Sequence, residues 1–210
     1  WSSDVCSSDL FMVLTEGELQ FTFPGERAIK FDDTEFYRKR FNKLTGAKGV
    51  DFICDTDNFL ILLEVKDCLG NEAENGWRIA IDNTKVDTSP TPVDTEGRES
   101  FDNEVAHKVA MTISCLLGAQ TFGENRPFQQ GELIPYAKAL ENEKVAQRNK
   151  TIFVILLLEG DFQSGTRTKK MNMDRIQLSI EKKLKWLNCK VSVVDAGTYR
   201  SDLFEVERIT

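Results

Sequence analysis

The sequence has few of the residues on which several common catalytic centres depend. It contains a single histidine, His107, so there is no basis for Ser/His/Asp or Cys/His nucleophilic machinery or for a zinc ligand set. Neither GxxxxGK[S/T] nor GxGxxG occurs, so ATP hydrolysis and dinucleotide binding have no support. The longest apolar run, Ile152 to Leu158, is too short to span a bilayer. We therefore expect a protein without a membrane partner.

Disulfide and secretion signals are also missing. The five cysteines show no CxxC spacing, and no stretch has the basic start, apolar centre and cleavage site of a signal peptide. These absences favour reduced packing cysteines in a cytoplasmic protein.

A basic composition is missing as well, because the formal net charge is −7. This charge gives no prior for nucleic-acid binding and disfavours non-specific binding. Basic residues are nevertheless grouped locally, at Arg38 to Lys48 and at Arg167 to Lys190. Such groups are either solvated surfaces or a track for phosphates, and the sequence does not separate the two.

The first ten residues, WSSDVCSSDL, lack periodicity and join abruptly to a patterned segment. They resemble the translation of a sequencing-library adapter over their whole length. We therefore expect residues 1–10 to be an artefact and residues 11–210 to form a single domain. Inspection of the source nucleotide sequence tests this, and a different codon series there would reject it.

The remaining sequence predicts an α/β fold. We expect a first hairpin around Pro24-Gly25, a helix over 34–44, a second hairpin of strands 50–55 and 59–66, a strand over 77–81 and an exposed loop over 82–99. Further on, the patterns predict a helix over 100–117, a helical segment over 133–146 broken near Pro135, a strand over 151–158, a helix over 172–187 and a strand over 190–194. The last strand, helix and strand imply a right-handed parallel crossover.

One strand of this scheme carries charged residues where burial is expected. Glu64 ends an apolar run, Phe59 to Leu63, that is typical of a central strand covered on both faces. An unpaired carboxylate there would cost several kcal/mol, so Glu64 should be neutralised, hydrogen-bonded or metal-bound. Lys66 shares its sheet face because side chains alternate with period two, and Asp51 opens the adjoining arm. Two carboxylates and one ammonium should thus converge, and Mg²⁺ or Mn²⁺ prefers such hard oxygen ligands.

The residues VDF, a spacer, and then EVK resemble the PD-(D/E)XK nuclease superfamily over residues 32–158. The resemblance implies a restriction-endonuclease-like αβββαβ core with a mixed central sheet flanked by helices. It further implies that Asp51, Glu64 and the Val65 carbonyl hold the ion. Lys66 would orient or deprotonate the attacking water, or neutralise the phosphate. The chain has Val50 where the superfamily name implies proline.

The same resemblance suggests supporting residues on two helices. Glu35 lies where many members have an extra acid, although a first-turn acid also suits the helix dipole. Lys108, with His107, lies on the helix that often supplies a supplementary polar or basic residue. The expected function is a Mg²⁺-dependent nuclease acting on DNA, with a homodimer or protein partner as a possible source of specificity. The alternative is an inactive nuclease-like scaffold that serves as a binding or assembly module.

Overall fold

The computed structural model describes residues 10–25, 27–88, 95–122, 131–141 and 143–209. The strands are β1 Phe11–Glu16, β2 Leu19–Pro24, β3 Ala28–Lys30, β4 Phe52–Asp55, β5 Phe59–Asp67, β6 Thr151–Glu159, β7 Cys189–Val194 and β8 Glu205–Arg208. The helices are α1 Glu35–Lys39, α2 Glu72–Asn75, α3 Thr84–Thr88, α4 Phe101–Gln120, α5 Ile134–Leu140, α6 Glu143–Ala146 and α7 Lys169–Lys183. Short 3₁₀ turns lie at Phe41–Lys43, Gly76–Ile79 and Ile81–Asn83.

A five-stranded mixed sheet forms the centre of the fold, in the order β3-β4-β5-β6-β7. The β3–β4 and β4–β5 pairs are antiparallel, whereas the β5–β6 and β6–β7 pairs are parallel. The predicted hairpin of β4 and β5 is therefore confirmed, and so is the parallel pairing of the last two strands. The handedness of that crossover stays a prediction.

The central sheet is covered on both faces. Leu60 and Leu62 of β5 pack into a core shared with α1, α4, α5 and α7. Ile61, Leu63 and Val65 face the opposite way and pack against β2 and the segment before β8. A three-stranded antiparallel sheet, β1-β2-β8, forms this second cover. The prediction that β5 is a central strand buried on both faces is confirmed.

The first predicted hairpin is wrong. β2 pairs with β1 and β8 in the small sheet, while β3 pairs with β4 in the large one. Leu19, Phe21 and Phe23 alternate along β2 and are buried against the central sheet, so β2 belongs to the covering layer. The turn at Gly25, where φ is +85°, thus carries the chain from one sheet to the other.

The strand predicted over 77–81 is also wrong, because this segment forms the 3₁₀ turns at Gly76–Ile79 and Ile81–Asn83. β5 already has β4 and β6 as neighbours, so its two edges are filled. The backbone hydrogen bonds of residues 77–81 are instead made locally, as in the bond from the Ala80 N–H to the Trp77 carbonyl, 3.2 Å long. The strands β3, β4 and β5 form an antiparallel meander, whose first strand is β3. Helix α1 lies between β3 and β4 in the chain.

The predicted helices form with shifted ends. The helix expected over 34–44 shortens to α1 plus a 3₁₀ turn, and that expected over 172–187 becomes α7. The helical segment over 133–146 does not break near Pro135, which occupies the first turn of α5. A short helix, α3, lies inside the loop predicted over 82–99. Residues 1–9 of the predicted artefact and 89–94 of the predicted loop lie outside the described residues, as do residues 123–130.

The described cysteines, Cys54, Cys68, Cys115 and Cys189, are free thiols in buried or half-buried positions. None of the described helices is long and apolar enough to cross a membrane.

Candidate functional site

Asp51 stands immediately before β4 and is held by the strands on both sides. Its backbone N–H donates to the Leu63 carbonyl, 3.1 Å away, and its own carbonyl accepts the Phe31 N–H at 2.8 Å. The side chain turns along β5, where Oδ2 accepts the Val65 N–H at 2.6 Å. The Asp51 carboxylate is therefore fixed by backbone geometry at the end of the β4–β5 pairing.

The residues before Asp51 pass through a narrow gap. A Cβ on Gly49 would lie 2.5 Å from two atoms of the Phe31 ring, so only glycine fits without displacing that ring. The Val50 N–H then donates to the Thr112 hydroxyl of α4 at 3.0 Å. These two contacts set the distance between Asp51 and α4.

Glu64 and Lys66 lie on the face of β5 that is turned towards α4, as period-two alternation requires. Lys66 Nζ lies 2.8 Å from Glu64 Oε1 and 2.8 Å from Glu104 Oε1 of α4. The Glu64 side chain is only 1% exposed, so its carboxyl group is shielded from bulk water. The structure therefore brings the predicted trio of Asp51, Glu64 and Lys66 together.

Helix α4 adds a second lysine to the group. Lys108 Nζ lies 2.6 Å from Glu64 Oε1 and 3.4 Å from Asp51 Oδ1, so its ammonium sits between the two carboxylates. Glu104, one turn earlier on the same helix face, pairs with Lys66 and also with Arg78. Three carboxylates and three cations thus form one connected buried network, which we call the acid–lysine network: Asp51, Glu64, Glu104, Lys66, Lys108 and Arg78.

Arg78 is anchored from several directions. It donates from Nε to the Glu99 carbonyl at 2.9 Å and from Nη1 to Asn75 Oδ1 at 3.0 Å. Its guanidinium also lies over the Phe101 ring, 4.3 Å from the centroid, a favourable cation–π geometry. Arg78 is therefore a fixed positive charge behind Glu104.

The two halves of the acid–lysine network differ in electrostatics. Burial raises the pKa of Glu64 to about 7, with a contribution from the Asp51 charge, and Lys66 and Lys108 only partly oppose this. Burial likewise raises the pKa of Asp51. For Glu104, burial also acts to raise the pKa, but Lys66 and Arg78 outweigh it and hold the pKa below its usual value. Negative charge is thus stabilised at Glu104 and costly at Glu64 and Asp51.

The oxygen donors of the site suit a divalent ion. Among the described residues, Glu64 Oε2 is buried without a hydrogen-bond partner, and Asp51 Oδ1 has only the 3.4 Å contact to Lys108. The N–H and C=O of one strand residue point to the same side, so the Val65 carbonyl is expected on the same side of β5 as its N–H, which donates to Asp51. Carboxylate and carbonyl oxygens are the ligands that Mg²⁺ and Mn²⁺ prefer. However, no group of three or more histidine, cysteine, aspartate or glutamate side chains among the described residues could hold a metal ion.

A cleft of about 290 Å³ opens beside the network. Its walls include Val65 and Lys66 at the carboxyl end of β5, together with Arg78 and, from the β1–β2 turn, Glu16 and Gly17. A group bound in this cleft would therefore meet the Lys66 side chain.

Two of the supporting residues suggested by the sequence are not brought to this network. Glu35 pairs with Lys39 of its own helix, and its backbone N–H donates to Glu132 at 2.6 Å. His107 lies 3.5 Å from Glu99 and is more than one-third exposed. Among the described contacts neither side chain reaches Asp51, Glu64 or Lys66.

Sequence reasoning missed Glu104 and Arg78. The spacing of Glu104, Lys108 and Thr112 at i, i+4 and i+8 places three polar side chains on one face of α4, and this pattern was a usable signal. The sequence contained no comparable signal for Arg78, because its segment was predicted as a strand.

Comparison with protein-family models matches residues 34–208 to a family of unknown function, DUF6661. The match covers most of the chain and all members of the acid–lysine network, so the chain belongs to this family. Neither the curated proteins nor the solved structures provide a match.

Proposed function

We propose that this member of the family is a metal-dependent nuclease that hydrolyses phosphodiester bonds of DNA. The observation that carries the proposal is the convergence of Asp51, Glu64 and Lys66 at the end of a buried central strand, with Glu64 Oε2 lacking a hydrogen-bond partner among the described residues. A buried carboxylate without full hydrogen bonding is expensive. A site that keeps two of them side by side is better explained by a cation that they bind than by stability.

The strand arrangement supports the restriction-endonuclease-like assignment. Three successive antiparallel strands, β3, β4 and β5, are followed by helix α4 and by β6, which is parallel to β5. The acid precedes the middle strand of this meander, and Glu64 and Lys66 lie on its third. The place of α1 between β3 and β4 departs from the αβββαβ order that the resemblance implies.

In the proposed mechanism Asp51, Glu64 and the Val65 carbonyl would hold Mg²⁺ or Mn²⁺. When bound, the ion would supply Lewis-acid stabilisation of the negative charge that develops on the phosphate. Lys66, held by its two carboxylate contacts, would present its ammonium beside the cleft. There it orients the attacking water or neutralises a phosphate oxygen. Burial of the network excludes bulk water and strengthens these interactions.

The test is cleavage of plasmid and linear DNA by the purified chain with Mg²⁺, Mn²⁺ or EDTA. Glu64→Ala and Lys66→Ala should each lower cleavage at least about 100-fold, a typical effect of removing a catalytic group. Asp57→Asn is the matched control, because Asp57 is an exposed carboxylate in the turn at the opposite end of the same hairpin. Cleavage that is independent of metal, or equal in wild type and both variants, rejects the proposal.

One observation favours the alternative of an inactive scaffold. Lys66 and Lys108 already neutralise Glu64, so the charges of the network balance without an ion. The scaffold predicts equal melting temperatures in Mn²⁺ and in EDTA. A metal-binding site predicts a rise in melting temperature with Mn²⁺ through linkage, and this rise should vanish in Asp51→Ala.

A further inference from the structure

Lys108 holds the position that a bound cation would need. Its Nζ is 2.6 Å from Glu64 Oε1 and 3.4 Å from Asp51 Oδ1, and these are the two carboxylates assigned to the metal. We propose that Lys108 is a built-in competitor of the divalent ion, which must displace the Lys108 ammonium from Asp51 and Glu64 before it binds. This inference rests on the proposed function and adds a residue that sets metal affinity.

The charges of the acid–lysine network favour an ion that displaces Lys108 over an ion that binds while Lys108 stays in place. With every group ionised, its three carboxylates balance Lys66, Lys108 and Arg78. A divalent ion added to this balanced, buried set would leave two uncompensated positive charges, which a low-dielectric interior disfavours strongly. Withdrawal of Lys108 leaves one positive charge, and a single phosphodiester group carries the one negative charge that neutralises it. Metal binding and phosphate binding should therefore support each other.

The contacts of the two lysines differ in the way that displacement requires. Lys66 bridges Glu64 and Glu104 with two equal distances of 2.8 Å, so it keeps Glu104 when Glu64 binds an ion. The ion pairs of Lys108 are with Asp51 and Glu64 alone among the described residues. An ion that binds these two carboxylates removes both ion pairs of Lys108. Lys108 is the cation that is released.

The chain offers a matched control at the other end of the same hairpin. Lys150 is also a buried lysine, and it pairs with the buried carboxylate of Asp55. Arg27 lies 3.5 Å from the second Asp55 oxygen. This pair thus has one carboxylate with two cations, where Lys108 is one cation shared between two carboxylates. Loss of Lys150 should destabilise the protein without creating a metal site.

The experiment measures Mn²⁺ binding to the full chain by titration calorimetry, and thermal unfolding in EDTA and in Mn²⁺, without any DNA. Lys108→Met should bind Mn²⁺ at least about tenfold more tightly than wild type, which corresponds to about 1.4 kcal/mol. In EDTA the variant should melt below wild type, because Asp51 and Glu64 lose their cation, and Mn²⁺ should restore its melting temperature. Lys150→Met should also melt lower than wild type in EDTA. Mn²⁺ should raise its melting temperature by no more than it raises that of wild type.

Three outcomes separate the two proposals. Tighter Mn²⁺ binding with rescue specific to Lys108→Met supports the inference. Equal or weaker binding by Lys108→Met, with wild type still binding Mn²⁺, overturns the inference and leaves the proposed metal site standing. No binding by either protein overturns both. If Lys108→Met does not fold in EDTA, Lys108→Gln, whose amide still donates to a carboxylate, takes its place with the same expected direction.

Discussion

Replacement of Glu64 by glutamine tests whether the Glu64 carboxylate destabilises the fold, as a functional group can, or stabilises it as a member of a structural ion pair. Burial and the nearby Asp51 raise the pKa of Glu64 from 4.5 to about 7. Because a tenfold change in proton affinity is worth about 1.4 kcal/mol, ionised Glu64 costs the folded state about 3 kcal/mol relative to an ordinary carboxyl. Glutamine resembles the protonated form in shape and carries no charge, so Glu64→Gln should remove this cost.

The sign of the pH dependence follows from the raised pKa. The folded protein holds the Glu64 proton more tightly than the unfolded chain, so wild-type stability falls as the pH rises from about 4.5 to about 7. Glu64→Gln should lack this fall. The variant and the wild type should therefore have similar stability near pH 4.5, and the variant should be more stable by about 3 kcal/mol near pH 8.

Urea unfolding in EDTA across this pH range measures the difference directly. Glu104→Gln is the matched control, because Lys66 and Arg78 hold the pKa of Glu104 below its usual value against the effect of burial. That variant should lose stability at neutral pH. If Glu64→Gln instead loses more than about 1 kcal/mol near pH 8, the lysine contacts outweigh burial and Glu64 is a structural ion-pair member.

Three further substitutions test the surroundings of the site. Asp102→Asn should lower the free energy of unfolding by about 2 kcal/mol at neutral pH. Burial alone would raise the pKa of Asp102, but hydrogen bonds, including one from Ser179, outweigh burial and hold the pKa below 3.8. Its contribution disappears as the pH falls through that lowered value, which urea unfolding at acidic pH will reveal. Gly49→Ala places a Cβ 2.5 Å from the Phe31 ring and should cost about 1–3 kcal/mol, seen as a lower melting temperature. Leu62→Ala, in the fully buried centre of β5, should cost about 2–5 kcal/mol with an unchanged urea m-value.

The parts of the fold that could be predicted are those with long buried runs. The apolar residues Phe59 to Leu63 and Ile152 to Leu158 identify β5 and β6 because a strand covered on both faces has no polar side. The pairing of β2 could not be read in the same way. Its alternating pattern shows that one face is buried, but the pattern contains nothing about which strand is the neighbour. A nearby turn at Gly25 suggested β3, whereas the actual neighbours are β1 and β8.

The residues of the candidate site also fall into those that local geometry brings together and those that it does not. Glu64 and Lys66 are related by strand period and Asp51 by a short hairpin, so local geometry is enough to bring them together. Lys108 approaches from a helix far along the chain, and only the resemblance suggested it. Glu104 shares the helix face of Lys108 by its i, i+4 spacing, whereas Arg78 depends on how an irregular turn packs over the sheet, which no local pattern encodes.

A direct ion pair in this structure is therefore weak evidence for a purely structural role. The β4–β5 hairpin carries a buried lysine–carboxylate contact at each end, and the two differ in their ratio of acids to cations. At Asp55 the carboxylate is supplied with Lys150 and Arg27, and its charge is fully met. At Asp51 and Glu64 two carboxylates share Lys108, Glu64 also contacts Lys66, and Glu64 Oε2 has no hydrogen-bond partner among the described residues. A fold selected for stability alone gains little from the second arrangement, because a buried carboxylate with an unpartnered oxygen retains part of its desolvation cost. That cost is offset when a cation of higher charge replaces Lys108 and binds the open oxygen.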